Sequence, residues 1–170
     1  KSSDKIILPG VGSFDSAINS LKSSGLFEVL NREVLCEKKP VLGVCVGMQI
    51  MAERSEEGKE KGLGWIKGDV KKFDIKKSNY KILVPHIGWN YLTSYSDENF
   101  FKNIANPQFY FLHSYHYVPK NNKDIISTTN YGYEFVSSIK NGNIWATQFH
   151  PEKSHDWGVM LLKNFANLCF

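Results

Sequence analysis

The run Val41-Leu42-Gly43-Val44-Cys45-Val46-Gly47-Met48 limits what this chain can fold into more than any other segment. It carries no charge, and Pro40 sets it off from the lysines before it. It is far short of the roughly 18 apolar residues a membrane helix needs. A short, continuous apolar run of this kind reads as a strand buried on both faces, here Val41–Val44. A helix is expected next, from Gln49 to Arg54. Burial of both strand faces implies a parallel sheet with helices on its two sides.

The segments before it fit that scheme. Ile6-Ile7-Leu8 reads as another buried strand, ending in a turn at Pro9-Gly10. Two helices are expected to follow. Asp15 to Ser23 places Ala17, Ile18 and Leu21 on one face, and Leu26 to Glu37 does the same with Leu26, Phe27, Leu30, Val34 and Leu35. The second half changes character. Gly62, Gly64 and Gly68 punctuate short strands near Val70–Phe73 and Ile82–Val84, and Phe109 to Val118 reads as one long aromatic strand. Strands near Ile125–Thr128, Glu134–Ile139 and Ile144–Phe149 are bounded by turn signals at Asn121-Asn122, Tyr131-Gly132 and Asn141-Gly142, the last a strong hairpin signal. A closing helix, Trp157 to Leu168, sets Val159, Leu161, Leu162, Phe165 and Leu168 at amphipathic spacing. The expectation is an α/β fold: a mostly parallel sheet flanked by helices, with an antiparallel excursion. No repeat or linker divides the chain, so residues 1–170 are expected to form one domain.

Composition narrows the function classes. The 170 residues are 42% apolar and 22% charged, the balance of a soluble globular protein. The net charge of +4 is mild. Its densest spots, Lys71-Lys72 and Lys76-Lys77, stand beside Asp69 and Asp74, which reads as a solvated face rather than a nucleic-acid stripe. Neither nucleic acid nor membrane is an expected partner. Cys36, Cys45 and Cys169 are an odd, scattered set with no CxxC. That argues against a disulfide framework and structural zinc, and fits a reducing, cytoplasmic setting. There is no signal-peptide pattern and no initiator Met, so a truncated or processed chain is expected.

Gly43-Val44-Cys45-Val46-Gly47 places a cysteine between two glycines where a buried strand meets a helix. Such a corner pushes a side chain out above the sheet, and the glycines let neighbouring backbone approach. The amides of the following helix favour a thiolate and are expected to lower its pKa. Two roles are open to Cys45 here, a nucleophile or a small buried hydrophobe. Cys36, on a helix face, and Cys169, next to the C-terminus, have no such setting and read as structural. A thiol nucleophile works with a histidine held by a third group. Of five histidines, His150 has the best setting, because it follows a strand and opens His150-Pro151-Glu152. Residues i and i+2 of extended chain point the same way, and Pro151 biases His150 to extended geometry, so Glu152 can lie beside the imidazole. His113 and His116, on the aromatic strand, are expected to face opposite sides and pack; His86 follows Pro85 in a loop, and His155 starts the last helix. No ligand spacing for a metal is present.

These residues resemble those of the class I, triad-type glutamine amidotransferases, and within them the family of glutaminase subunits of imidazole glycerol phosphate synthase. The likeness runs in order through Pro9-Gly10-Val11-Gly12-Ser13-Phe14, Gly43 to Gln49, Ser55-Glu56-Glu57-Gly58, Gly62-Leu63-Gly64, Pro85-His86-Ile87-Gly88-Trp89-Asn90, Phe111-Leu112-His113-Ser114-Tyr115 and Gln148 to Ser154, nearly the whole chain. The fold it implies is flavodoxin-like. The family's opening strand and helix, with an Asp-Tyr-Gly-x-Gly-Asn-like motif, have no counterpart, so the chain is expected to be N-terminally incomplete.

The resemblance implies that Cys45 attacks the side-chain amide of glutamine, with His150 as base and Glu152 as its orienter. It implies a glutamine pocket of Gly10, Val11, Gly12, Val46, Gln49, Glu57, His113, Ser114 and Tyr115. Glu57 would meet the substrate ammonium, backbone at Ser114-Tyr115 its carboxylate, and the amide of Val46 with one from Gly10-Val11-Gly12 the oxyanion. No cofactor or metal is implied. The ammonia would pass to a (β/α)₈ cyclase/synthase subunit in a heterodimer, making imidazole glycerol phosphate and AICAR in histidine biosynthesis. Trp89, Asn90, Tyr110 and Lys153 match positions near that interface; taken alone they read as core aromatic, turn, strand packing and solvated lysine. Leu63-Gly64-Trp65-Ile66 and His113 to Tyr117 also resemble relatives that aminate sugars in surface-glycan pathways. A free-standing thiol hydrolase and a non-catalytic interaction module are the other readings.

Overall fold

The computed structural model describes residues 3–78 and 80–168. The chain opens with strand β1 (Ile6–Gly10), helix α1 (Phe14–Ser23) and a short helix α2 (Phe27–Asn31) that runs into a π-helical turn, Arg32–Cys36. Strand β2 (Val41–Cys45) and helix α3 (Val46–Gln49) follow, then strands β3 (Arg54–Ser55), β4 (Gly68–Lys72), β5 (His86–Tyr91), β6 (Ser94–Tyr95), β7 (Gln108–His113) and β8 (Tyr115–Pro119). Strands β9 (Ile125–Asn130), β10 (Glu134–Asn141) and β11 (Ile144–Thr147) precede the last helix, α4 (His155–Asn167).

All five residues of β2 are buried, as its unbroken apolar sequence requires. It lies between β1 and β11 and pairs with both in parallel. Beyond β11 the main sheet continues through β10, β8, β4 and β3, with β9 and β6 branching from β10. The pairings of β10 with β11, β9 and β8 are antiparallel, the excursion expected from the turn signals. Asn141 faces Ile144 across the hairpin announced by Asn141-Gly142. The core joins Leu42, Met48, Tyr117, Trp145, Phe149 and Phe165 in one buried cluster. The rings of Phe109 and Phe149 stack at 4.0 Å, so β7 is packed on the residues that follow β11.

Several expected elements are redrawn. Strand β1 runs through Pro9 and Gly10 instead of turning there, because Pro9 pairs with Val44 and Gly10 with Cys45. It is only half-buried, since it lies at the end of the sheet order. The Gln49–Arg54 helix is replaced by α3, which ends at Gln49, and Arg54 opens β3. Leu26 and Leu35 are exposed, as α2 gives way to the π-turn and only Val34 of that turn is buried. Val159 of α4 is exposed too; that helix buries Gly158, Leu161 and Phe165. Ile82–Val84 is not a strand. Cys36 is exposed, and Cys169 lies outside the described residues.

The largest change concerns the aromatic run. It breaks at Ser114 into β7, which pairs with β5 in a separate two-stranded sheet, and β8, which belongs to the main sheet. The break cancels the strand alternation, so His113 and His116 both pack on the ring of Phe73, at 5.1 and 5.0 Å. His86 opens β5 rather than lying in a loop, and its ring is stacked between those of Tyr131 and Phe111.

Candidate active site

Cys45 ends β2 and caps α3 with φ 54° and ψ −109°. That is a left-handed backbone for a residue with a Cβ, which typically stores ~1–3 kcal/mol and persists only where the surroundings enforce it. Here they do. A Cβ on Gly47 would strike the Leu8 carbonyl, and one on Gly43 would lie 2.8 Å from the backbone carbonyl oxygen of Gly47, so both flanks must be glycine for the corner to close. The thiol is buried, and burial pushes it up to about 11. The Val46 amide, Lys153 and the Gln148 side chain pull the other way, while Glu152 adds to the rise. The expectation of a lowered thiol is therefore corrected: a four-residue helix contributes little beyond its first amide, and desolvation wins. Sγ lies 3.8 Å from the Leu112 carbonyl and 3.7 Å from Gln148 Nε2.

His150 follows β11 with extended backbone, φ −101° and ψ 95°, before Pro151 opens a 3₁₀ turn. Its amide donates to the Tyr110 carbonyl at 2.9 Å. Ser154 Oγ donates to the His150 carbonyl at 2.6 Å and accepts from the Tyr110 amide at 3.0 Å, so β7 and the His150 corner are pinned together. Nδ1 meets Glu152 Oε1 at 2.7 Å. A carboxylate only accepts, so Nδ1 carries the hydrogen and Nε2 of the neutral ring is left as an acceptor. That Nε2 is buried and has no hydrogen-bond partner. No direct bond joins it to Cys45, yet both residues open on the same cavity. In unliganded sites such bonds are often long and tighten only with substrate.

The cavity holds about 250 Å³ and is lined by residues from across the chain. Of the residues named from the sequence, Val11, Gly12, Val46, Gln49, Glu57, His113, Ser114 and Tyr115 line it, together with Cys45 and His150. Gly10 does not; it sits behind the cavity in β1, where a Cβ would approach the Gly47 amide to 2.7 Å. Lys153, expected at the partner face, lines the cavity. Pro85 and Leu112 are lining residues that the sequence reading passed over. Both lie inside quoted motifs, Pro85 one place before His86 and Leu112 one place before His113, which was the available signal. Gln148 is a further neighbour of Cys45 that the sequence does not single out; it stands two places before His150, in the bend that follows β11.

Glu57 Oε2 accepts from the Phe14 amide at 2.8 Å, tying the cavity wall to the start of α1. Gly12, just before that helix, has φ +92°, a backbone that favours glycine. The histidines form a chain with a determined polarity. His113 Nδ1 must donate to the Tyr115 carbonyl at 2.8 Å, which leaves its Nε2 to accept from His86 Nδ1 at 3.1 Å. His86 Nε2 is then the acceptor for Asn90 Nδ2 at 3.4 Å. Both rings are neutral, consistent with burial lowering His86 to about 4 and His113 well below its usual range. Asn90 is thus a strand residue and not a turn. Trp89, one place before it, is 39% exposed and not core; it stacks on His155 at 5.1 Å, beside Tyr110 and Trp157. Among the described residues no group of His, Cys, Asp and Glu could hold a metal ion. No helix among them is long and apolar enough to cross a membrane.

Comparison with known proteins gives the class first: the chain belongs to the class I glutamine amidotransferases, whose family model, Glutamine amidotransferase class-I, matches residues 1–168. The fold agrees. A putative GMP synthase protein from Thermoplasma acidophilum, 23% identical, superposes with a TM-score of 0.64 over 95% of this chain and 70% of that one. A glutamine amidotransferase crystal structure, 15% identical, gives a TM-score of 0.68 over 96% and 79%. Within the class the chain belongs to the family of imidazole glycerol phosphate synthase subunit HisH. It is 52% identical to HisH of Leptospira borgpetersenii, over 99% of this chain and 83% of that one. HisH of Leptospira interrogans is 54% identical over the same shares, and HisH 2 of Methanococcus maripaludis 48% identical over 95% and 79%.

Proposed function

We propose that the chain is the glutaminase subunit of an imidazole glycerol phosphate synthase, working in the cytoplasm, and that Cys45, His150 and Glu152 are its catalytic triad. One observation carries the triad: an unpartnered imidazole Nε2, fixed as an acceptor by Glu152, shares a cavity with a thiol at a strained strand-to-helix corner. His150 Nε2 takes the thiol proton as Cys45 Sγ attacks the glutamine side-chain carbonyl carbon. The Val46 amide and one from the Val11–Gly12 segment receive the oxyanion. Collapse breaks the carbon–nitrogen bond, and His150 returns its proton to the leaving nitrogen, which departs as ammonia. Water, deprotonated by His150, then attacks the thioester to release glutamate and restore the thiol. Glu57 suits the substrate's ammonium, and the Ser114-Tyr115 backbone its carboxylate.

The ammonia goes to a (β/α)₈ cyclase subunit in a heterodimer and is used to make imidazole glycerol phosphate and AICAR in histidine biosynthesis. The exposed Trp89, with Asn90, Tyr110 and Lys153 near it, is the docking side. Treating the chain with a glutamine-analogue alkylator should label Cys45, spare Cys36 and Cys169, and abolish glutaminase activity in step. Retained activity after complete Cys45 labelling overturns the assignment.

A further inference from the structure

The carbonyl oxygen of Tyr115, at the start of β8, accepts from both His113 Nδ1 at 2.8 Å and Gln49 Nε2 at 3.1 Å. A carbonyl can only accept, so the nitrogen end of the Gln49 amide must face it. The second hydrogen of that nitrogen goes to Gln148 Oε1 at 3.1 Å. Gln148 therefore spends its carbonyl on Gln49, and its amide nitrogen is turned to Cys45 Sγ, 3.7 Å away. Gln148 is fully buried, and its backbone amide is fixed to the Ser137 carbonyl at 2.8 Å. A buried primary amide is tolerated when both its ends are used, and the sulfur is what uses the nitrogen end.

The sulfur sits between opposite influences. The Leu112 carbonyl of β7 can accept only from the protonated thiol. The Gln148 donor, which comes from the segment after β11, is strengthened when sulfur is charged. The remaining groups around the sulfur are the Val46 amide from α3 and, from the turn after β11, the imidazole of His150, the carboxylate of Glu152 and the ammonium of Lys153.

Given Cys45 as the nucleophile proposed above, we propose that Gln148 is a thiolate-stabilising residue of this site. Its side-chain N–H, aimed by Gln49 and the Tyr115 carbonyl, takes up the sulfur's charge once the proton has moved to His150 Nε2. Gln148 thus favours the reactive form in a pocket where burial alone favours the inert one.

The test is the pH dependence of Cys45 carboxamidomethylation by iodoacetamide, read by mass spectrometry on the full chain. Wild type is compared with Gln148→Met and Gln148→Leu, neither of which can donate to the sulfur or brings a charge beside it. In both variants the midpoint should rise by about one to two pH units, the equivalent of one hydrogen bond to a charged group. An unchanged midpoint in either folded variant overturns the proposal. The readout does not depend on Cys45 being the nucleophile. A shifted midpoint beside glutaminase activity that survives alkylation would sink the triad reading and leave the Gln148 contact standing. A measurement on wild type covers loss of folding in the variants. The Gln148 side-chain amide resonance should move with the Cys45 midpoint, and a flat resonance across that titration overturns the proposal.

Discussion

His150 and Glu152 share one short contact but not one task. In the proposed triad the imidazole is the group that moves protons; its Nε2 is buried without a hydrogen-bond partner, and His150 lines the cavity. Glu152 is half-exposed behind the ring, and its Oε1 keeps the hydrogen on Nδ1. His150→Ala should lower turnover by the ~10²–10⁴-fold typical of general-base loss. Glu152→Gln retains a side chain that can bond the ring and should cost less. Steady-state glutaminase rates of the two variants check this, and an equal loss in both would mean that Glu152 does more than orient. The triad candidates were legible in sequence because their chemistry depends on local context: glycines around Cys45, and a proline between His150 and Glu152. Gln148, Pro85 and Leu112 were not, since their places in the site depend on which strands lie side by side. The thiol's environment was misjudged for the same reason. The helix amide is visible in sequence, whereas the burial that outweighs it is a property of the packed sheet.

Among the strands, β2 could be read from sequence because an all-apolar segment has few places to go, and the β10–β11 hairpin because Asn141-Gly142 marks its turn. The division of the aromatic run between β7 and β8 could not. No glycine or proline marks Ser114, and the break follows from pairing with two different partners, β5 and β4. That division gathers His86, His113 and His116 around Phe73. Burial lowers all three, His86 and His116 to about 4. An unfolded histidine binds its proton near pH 6.5, so between about pH 6.5 and 4 the unfolded chain holds more protons than the folded one. Stability contributed by these neutral rings is present above pH 6.5 and is lost as the pH falls through about 4. For His116 the swing is on the order of 3 kcal/mol. Urea unfolding at pH 7 and pH 4.5 should show the loss, and His116→Gln should make it smaller. An identical pH dependence in that variant would remove His116 from the account.

At the scale of the whole molecule, the proposed oxyanion loop and the proposed docking side at Trp89 bear on when glutamine is hydrolysed. The loop is shorter than its glycines suggest. Gly10 is held in β1 opposite Cys45, and the Phe14 amide is held by Glu57, so the freedom lies in Val11 and Gly12. Val11 is 80% exposed, and a Cβ on Gly12 would meet nothing within 4 Å, so the peptide between them has room to rotate. In the proposed oxyanion hole, one orientation of this peptide would turn its amide toward the oxyanion and the opposite one would turn it away. Loss of one oxyanion donor typically lowers turnover ~10²–10³-fold, so this single peptide is sufficient to switch the enzyme. Lys153 lines the cavity and is two residues from His155, on which Trp89 stacks, so a short segment links the proposed docking side to the cavity wall. Docking is expected to favour the productive orientation, and ammonia then forms only beside an enzyme that can use it. Glutamine hydrolysis by the folded chain on its own should be slow and should rise by about the factor of one oxyanion donor when the cyclase partner and its acceptor are added. Gly12→Ala should blunt that rise, because an alanine resists the φ of +92° held by Gly12. A lone, folded chain that already turns over at the rate of the complex would show that no such switch exists.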